Sequence, residues 1–204
     1  MPLYAPATSA DFKRLEAGTY PAALVQVVDL GTQHIVSQQF GERDVRQVML
    51  LWEIPSELRD DGKPFCKQAK YTLSMAPSAN LRKVVESLIG VMTDDEASRF
   101  DIFTLIGKSA AIMLQETAGR NGKTYTDIKA VTPLMKGTPP VQLSGSTPVV
   151  TLCLEPDAFV EDYFDQVSEY TQEMIRKSPE HQALMGKPAF VAEAAPQYND
   201  DLPF

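Results

Sequence analysis

A mainly β fold with one helical interruption, followed by an amphipathic helix and an acidic tail, is what this sequence predicts. Three observations carry the expectation. Residues 18–134 hold apolar runs of strand length separated by Gly- and Asp-rich turns. Between them stands one apolar set at helical spacing, Leu81, Val84, Val85, Leu88 and Ile89. The charge is also segregated: residues 1–140 carry 16 Lys+Arg against 16 Asp+Glu, whereas residues 141–204 carry 3 against 11, so the whole net charge of -8 lies in the back of the chain. A neutral front can still gather cations on one face, with an acidic arm tethered beside it as a competitor.

The elements follow in order. Residues 20–30 (YPAALVQVVDL), after Gly18, make a long first strand, and Arg46–Ile54 (RQVMLLWEI), with the only tryptophan, a second and largely buried one. Asp60-Asp61-Gly62-Lys63 is a turn signal, beyond which Phe65, Lys67, Ala69, Tyr71 and Leu73 alternate with Cys66, Gln68, Lys70 and Thr72. Strands two and three therefore form a hairpin. The helix starts near Ser78 or Asn80, stops at Gly90, buries its apolar set and shows Arg82, Lys83 and Glu86 on the other side. Thr93 to Glu96 matches a capping box and predicts a short helix to about Arg99. After the apolar connector Ile102–Gly107, Lys108–Gln115 and Lys123–Leu134 form a second hairpin around Ala118–Gly122, whose two glycines supply positive backbone angles.

Strand, hairpin, helix, hairpin is the chain order of the five-stranded OB-fold Greek-key barrel, in which the helix sits between strands three and four and strands two and three take oligonucleotides. Residues 137–148 (GTPPVQLSGSTP) mark the barrel's end, and Val149–Leu154 is a candidate edge strand. From Asp157, residues Phe159, Val160, Tyr163, Phe164, Val167, Tyr170, Met174 and Ile175 recur at helical spacing up to Pro179, with acidic residues filling the other face. That stripe needs burial against the barrel or a second subunit, which leaves a homodimer open. The expected organisation is a barrel over 1–137, a linker, edge strand and helix over 138–187, and an unstructured acidic tail over 188–204.

Several chemistries are set aside. No stretch approaches the ~18 apolar residues of a membrane span and no leader pattern opens the chain, so a soluble, cytoplasmic protein with no membrane partner is expected. Cys66 and Cys153 stand far apart, with no Cys or His at metal-ligand spacing, so neither a metal nor a cofactor is expected. Leu105-Ile106-Gly107-Lys108-Ser109 ends like a P-loop, but the required first glycine falls on Ile102. His34 and His181 have no nucleophile or carboxylate pair at catalytic spacing, and a non-enzymatic protein is expected.

The chain ends in Asp200-Asp201-Leu202-Pro203-Phe204, two carboxylates before an apolar tip, on a segment too polar to be core. An apolar tip on a solvated arm reads as a docking peptide. This tip resembles that of bacterial single-stranded DNA-binding protein. The front of the chain is similar to a bacteriophage OB-fold family of single-stranded DNA-binding proteins through Tyr71–Ser74, Leu81–Lys83, Asp94–Glu96, Leu105–Lys108, Gly122–Tyr125 and Val131–Leu134, over about residues 18–137. Where that family's pattern carries Trp-Arg-Gly at the helix end, this chain has Leu88-Ile89-Gly90, and the role of that tryptophan does not carry over.

The resemblance implies a protein that coats single-stranded DNA without sequence preference in phage replication or recombination, and recruits replication or recombination proteins through Asp200, Asp201, Leu202, Pro203 and Phe204. Such binding needs cations to track phosphates and flat side chains to stack bases. The candidates are Arg46, Lys67, Lys70 and Tyr71 on strands two and three, Arg120, Lys123, Tyr125 and Lys129 on the last hairpin, and Phe40 in the first loop. Trp52 is divided between base stacking and core packing, with the core favoured by its aliphatic neighbours. Two other functions fit the same outline: a protein-interaction adaptor with an OB-like barrel, and a mediator of strand annealing or recombination.

Overall fold

The computed structural model describes residues 14–37, 41–118 and 124–186. Six strands occur among them: β1 Gly18–Ser37, β2 Gly41–Leu58, β3 Pro64–Thr72, β4 Ser109–Ala118, β5 Thr124–Thr132 and β6 Val150–Leu152. They form one open antiparallel sheet in the order β3-β2-β1-β4-β5, with β6 pairing β1 off that path. The first two strands extend well past the expected bounds. Helices α1 Asn80–Ile89 and α2 Asp94–Ser98 and a 3-10 turn at Ile102–Leu105 lie between β3 and β4; α3 Glu161–Asp165, α4 Glu169–Arg176 and α5 Pro179–Leu184 follow β6. No described helix is long and apolar enough to cross a membrane.

The chain divides into two compact units, Met1–Val28 with Val48–Thr151 and Asp29–Gln47 with Leu152–Phe204. In the first unit, β1 runs antiparallel to β4 from Gly18 opposite Leu114 to Ala23 opposite Ser109. One core gathers Leu24, Leu50, Trp52, Ile54, Leu81, Val85, Leu105 and Ile112, all 0 % exposed. Burying each of these aliphatic side chains stabilises by about 1.5–3 kcal/mol. Trp52 belongs wholly to this core and presents no face on which a base can stack, which corrects its place among the DNA-contacting candidates. Its Nε1 has no hydrogen-bond partner.

Helix α1 buries Leu81, Val84 and Val85, as its spacing predicts, and ends on Gly90 at φ 101°. Two residues depart from the expectation. Ile89 is 42 % exposed, and Arg82, expected on the solvent side, is buried at 6 %. Its guanidinium donates to the Glu86 and Asp94 carboxylates and to the carbonyls of Met75 and Met92. A fork of five N–H groups can be buried when acceptors converge on it from two loops, and only the fold supplies those acceptors. Hydrogen bonding to Asp94 and then Glu86 raises the Arg82 pKa, so the group stays charged. The Thr93–Glu96 capping box forms as its pattern predicts.

In the second unit, Gly31 of β1 holds a φ of 67°, which only glycine adopts cheaply. The backbone there is held by Asp29, which accepts from Gly31 N at 2.9 Å and, at Oδ2, from Arg46 Nη2 at 2.6 Å. The single helix expected over 157–178 is broken into α3 and α4, and α5 follows directly from Pro179. Ser168 accepts from Thr171 N to cap α4, and Ser178 accepts from His181 N to cap α5, with Pro179 in its first turn. Each cap satisfies donors that a continuous helix would bond to its own carbonyls, so a new helix starts instead. Pro179 thus begins a helix and does not merely end one. Of the apolar stripe, Phe164, Val167 and Ile175 are buried, Phe159, Tyr163 and Met174 are half-buried, and Val160 and Tyr170 stay 41 and 57 % exposed. Glu161, Asp162, Asp165, Glu169 and Glu173 face solvent.

Candidate nucleic-acid interface

Three elements of the first unit meet at an open cleft of about 420 Å³, lined by Ala69, Lys70 and Tyr71 of β3, Asn80, Lys83 and Val84 of α1, and Ile128, Lys129, Ala130 and Val131 of β5. Each supplies one exposed lysine: Lys70, Lys83 and Lys129. Lys70 is there because β3 alternates, with Gln68, Lys70 and Thr72 outward while Phe65 and Tyr71 pack on the core. Lys83 is there because Leu81, Val84 and Val85 fix the buried side of α1 and leave position 83 at the surface.

Lys129 owes its position to an irregularity. The β4–β5 ladder pairs Met113 with Ala130 and Leu114 with Ile128, so Lys129 is the extra residue of a β-bulge. A bulge bends the strand and redirects its side chains. In keeping with that, the inward phase passes from Thr126 and Ile128 to the buried Val131.

Tyr71 supplies the flat, partly apolar wall. Burial pushes its phenol up to about 12, so the ring is neutral across the working range. Three cations around an opening with one neutral aromatic wall can hold phosphate oxygens while a base rests on the ring, the two contacts that sequence-tolerant single-strand binding uses.

Of the residues singled out from sequence, Lys70, Tyr71 and Lys129 therefore come together here. Lys67 is half-buried and donates to the Thr126 carbonyl at 2.6 Å, a bond from β3 to β5. Burial pulls its pKa below the ordinary lysine value, against the pull of Asp127. Its role is to tie two strands. Tyr125 is 48 % exposed on β5, next to Thr124, whose carbonyl accepts from Arg14 Nη1 at 3.3 Å. Arg46 belongs to the second unit and is committed to Asp29 at 2.6 Å and Glu155 at 2.8 Å. Those hydrogen bonds, Asp29 first, raise its pKa despite the burial. Its availability to a phosphate would require breaking both pairs. Phe40, Arg120, Lys123 and the Asp200–Phe204 segment lie outside the described residues.

Lys83 and Asn80 are polar residues of the cleft that are not among the sequence candidates. Their signal was present: positions 80 and 83 are one helical turn apart, flanking a buried Leu81, immediately after the strand that carries Lys70 and Tyr71. Among the described residues no group of three or more His, Cys, Asp or Glu stands together as a metal site. Cys66 and Cys153 are both free thiols, and burial raises the Cys66 pKa. No protein-family model matches the chain, and no curated protein matches it either.

Proposed function

We propose that this chain is a non-enzymatic single-stranded DNA-binding protein that coats exposed strands in phage replication or recombination, and that the cleft between β3, α1 and β5 is part of its DNA track. The observation that carries the reading is the convergence of Lys70, Lys83 and Lys129, from three different elements, on one cleft that Tyr71 also lines. The sheet order supports it. An OB-fold barrel orders its strands 3-2-1-4-5 and closes β3 against β5, and here that order is accompanied by the Lys67–Thr126 bond between those two outer strands. In this reading the acidic Asp200–Phe204 segment docks Leu202 and Phe204 into an apolar pocket on replication proteins, its carboxylates meeting basic residues at the rim.

The test is a fluorescence titration of labelled oligo-dT at 50 and 200 mM salt. Binding should weaken steeply as salt rises, because phosphate contacts release counterions. Failure to bind at the lower salt would end the DNA reading. The second reading, a protein-interaction adaptor, is favoured by a different feature: an open cleft of about 590 Å³ walled by Leu73, Met75, Pro77, Ala97 and Phe100. An adaptor predicts no oligo-dT binding at either salt.

A further inference from the structure

We infer that residues 137–148 are a releasable strap over the outer face of β2 and β3, and that single-stranded DNA reaches that face only when the strap lifts. This rests on the DNA-binding reading above. Residues 139–149 form neither helix nor strand. They are held to the first unit by side chains from four different strands. Ser109 of β4 accepts from Val141 N at 2.9 Å, Glu53 of β2 accepts from Ser144 N at 2.8 Å, Cys66 Sγ of β3 meets Thr147 Oγ1 at 3.5 Å, and Gln26 of β1 donates to the Pro148 carbonyl at 3.1 Å. Bonds of this kind exchange for water with little net loss, unlike a backbone ladder. Pro139, Pro140 and Pro148 have no N–H to orphan, and Gly137 and Gly145 hold positive φ of 90° and 76° where the path bends.

The face beneath is unusual for a covered surface. Glu53 stands between the core residues Trp52 and Ile54, so by the period of the strand its carboxyl points to the opposite side, where it is 0 % exposed. One of its oxygens, Oε2, has no hydrogen-bond partner. A buried carboxyl with an oxygen unserved favours any state that hydrates it, and lifting the strap does so. On β3, the outward set Cys66, Gln68, Lys70 begins beneath the strap and ends at the cationic cleft. A strand that follows β3 from Lys70 toward the exposed Lys63 meets Thr147 at Cys66. The closed strap therefore ends the track, and the open strap extends it along β3.

The test is a lock. With Cys153→Ser to remove the other thiol, Thr147→Cys places a second sulfur against Cys66, within reach of an S–S bond of about 2.05 Å. Oxidised glutathione closes the bond and dithiothreitol opens it in the same folded protein, and circular dichroism follows the fold in both states. Oligo-dT should bind the locked form about fivefold or more weakly than the reduced form, the loss expected from one base stack. Equal affinity in the two states overturns the strap while leaving the DNA reading standing; no binding in either state overturns that reading and the strap with it. Amide exchange gives an independent check. Val141 and Ser144 N–H groups should exchange faster than those of Leu24 and Ile112, and equal protection would mean a fixed part of the fold.

Discussion

Replacing the three cleft lysines together, Lys70→Gln, Lys83→Gln and Lys129→Gln, separates phosphate tracking from every other contribution to binding. All three are exposed, so the substitutions should leave stability within about 0.5 kcal/mol per site, as surface changes do. Each cation that neutralises a phosphate on a single strand contributes about 0.7 to the slope of log K against log salt. Removing three such cations should flatten that slope by about 2. Over the fourfold range from 50 to 200 mM salt, the parent protein should thus lose about 15- to 20-fold more affinity for oligo-dT than the triple variant. The assay is fluorescence anisotropy of labelled oligo-dT at four or more salt concentrations, with a thermal melt of both proteins as a control. The stacking contribution of Tyr71 is not electrostatic and should survive, leaving weaker binding with a shallower salt dependence. An unchanged slope with intact binding would show that these cations face water, and that the strand runs elsewhere.

Other outcomes follow from individual residues. Gly31→Ala forces a side chain into a φ of 67° and places its Cβ 2.5 Å from Ser178 Cβ and 2.7 Å from Glu180 Oε2. The left-handed backbone costs about 1–2 kcal/mol and the overpacking about 1–3, so a urea melt should show a loss of about 2–5 kcal/mol; a neutral result would mean that Gly31 is not held in that conformation. Burial works to raise the Glu180 pKa, but hydrogen bonds from Thr32 Oγ1 and N, at 2.6 and 2.8 Å, bring it below the usual carboxylate value. A depressed folded-state pKa means that this stabilisation is present above the ordinary carboxylate range and is lost as pH falls through the folded value. The stability advantage of the parent over Glu180→Gln should then shrink between pH 6 and pH 3, and a constant difference would contradict the linkage. Trp52, the only tryptophan, is 0 % exposed, so saturating oligo-dT should leave its emission nearly unchanged, whereas strong quenching would place a base against it. Removing residues 188–204, with their acidic groups, should tighten oligo-dT binding most at low salt, and unaltered affinity would exclude competition between tail and DNA.

How far the sequence could be read varied with how local the deciding interaction was. The buried side of α1 was legible because Leu81, Val84 and Val85 set it by spacing alone, and the Thr93–Glu96 box because both partners lie within one turn. Arg82 was misplaced because its acceptors beyond Glu86, namely Asp94 at the start of α2 and the carbonyls of Met75 and Met92, lie outside the helix on either side of it. The break of the 157–178 pattern is encoded in the Ser168–Thr171 cap and the start of α5 in Ser178-Pro179, but neither interrupts the apolar periodicity. The place of Lys129 at a bulge could not be read beforehand, because register against β4 is invisible in a single strand. Arg46 shows the reverse case, a cation on an apparent binding strand that two carboxylates from distant positions, Asp29 and Glu155, have already claimed.

The central claim, that a single strand of DNA lies against Lys70, Lys83 and Lys129, is tested most directly by lysine footprinting. The protein is acetylated briefly with and without saturating oligo-dT, and each lysine is quantified by mass spectrometry. DNA should protect these three together, while Lys136 and Lys177 react as before. Oligo-dT that binds and protects other lysines, leaving the three as reactive as in the free protein, would contradict it.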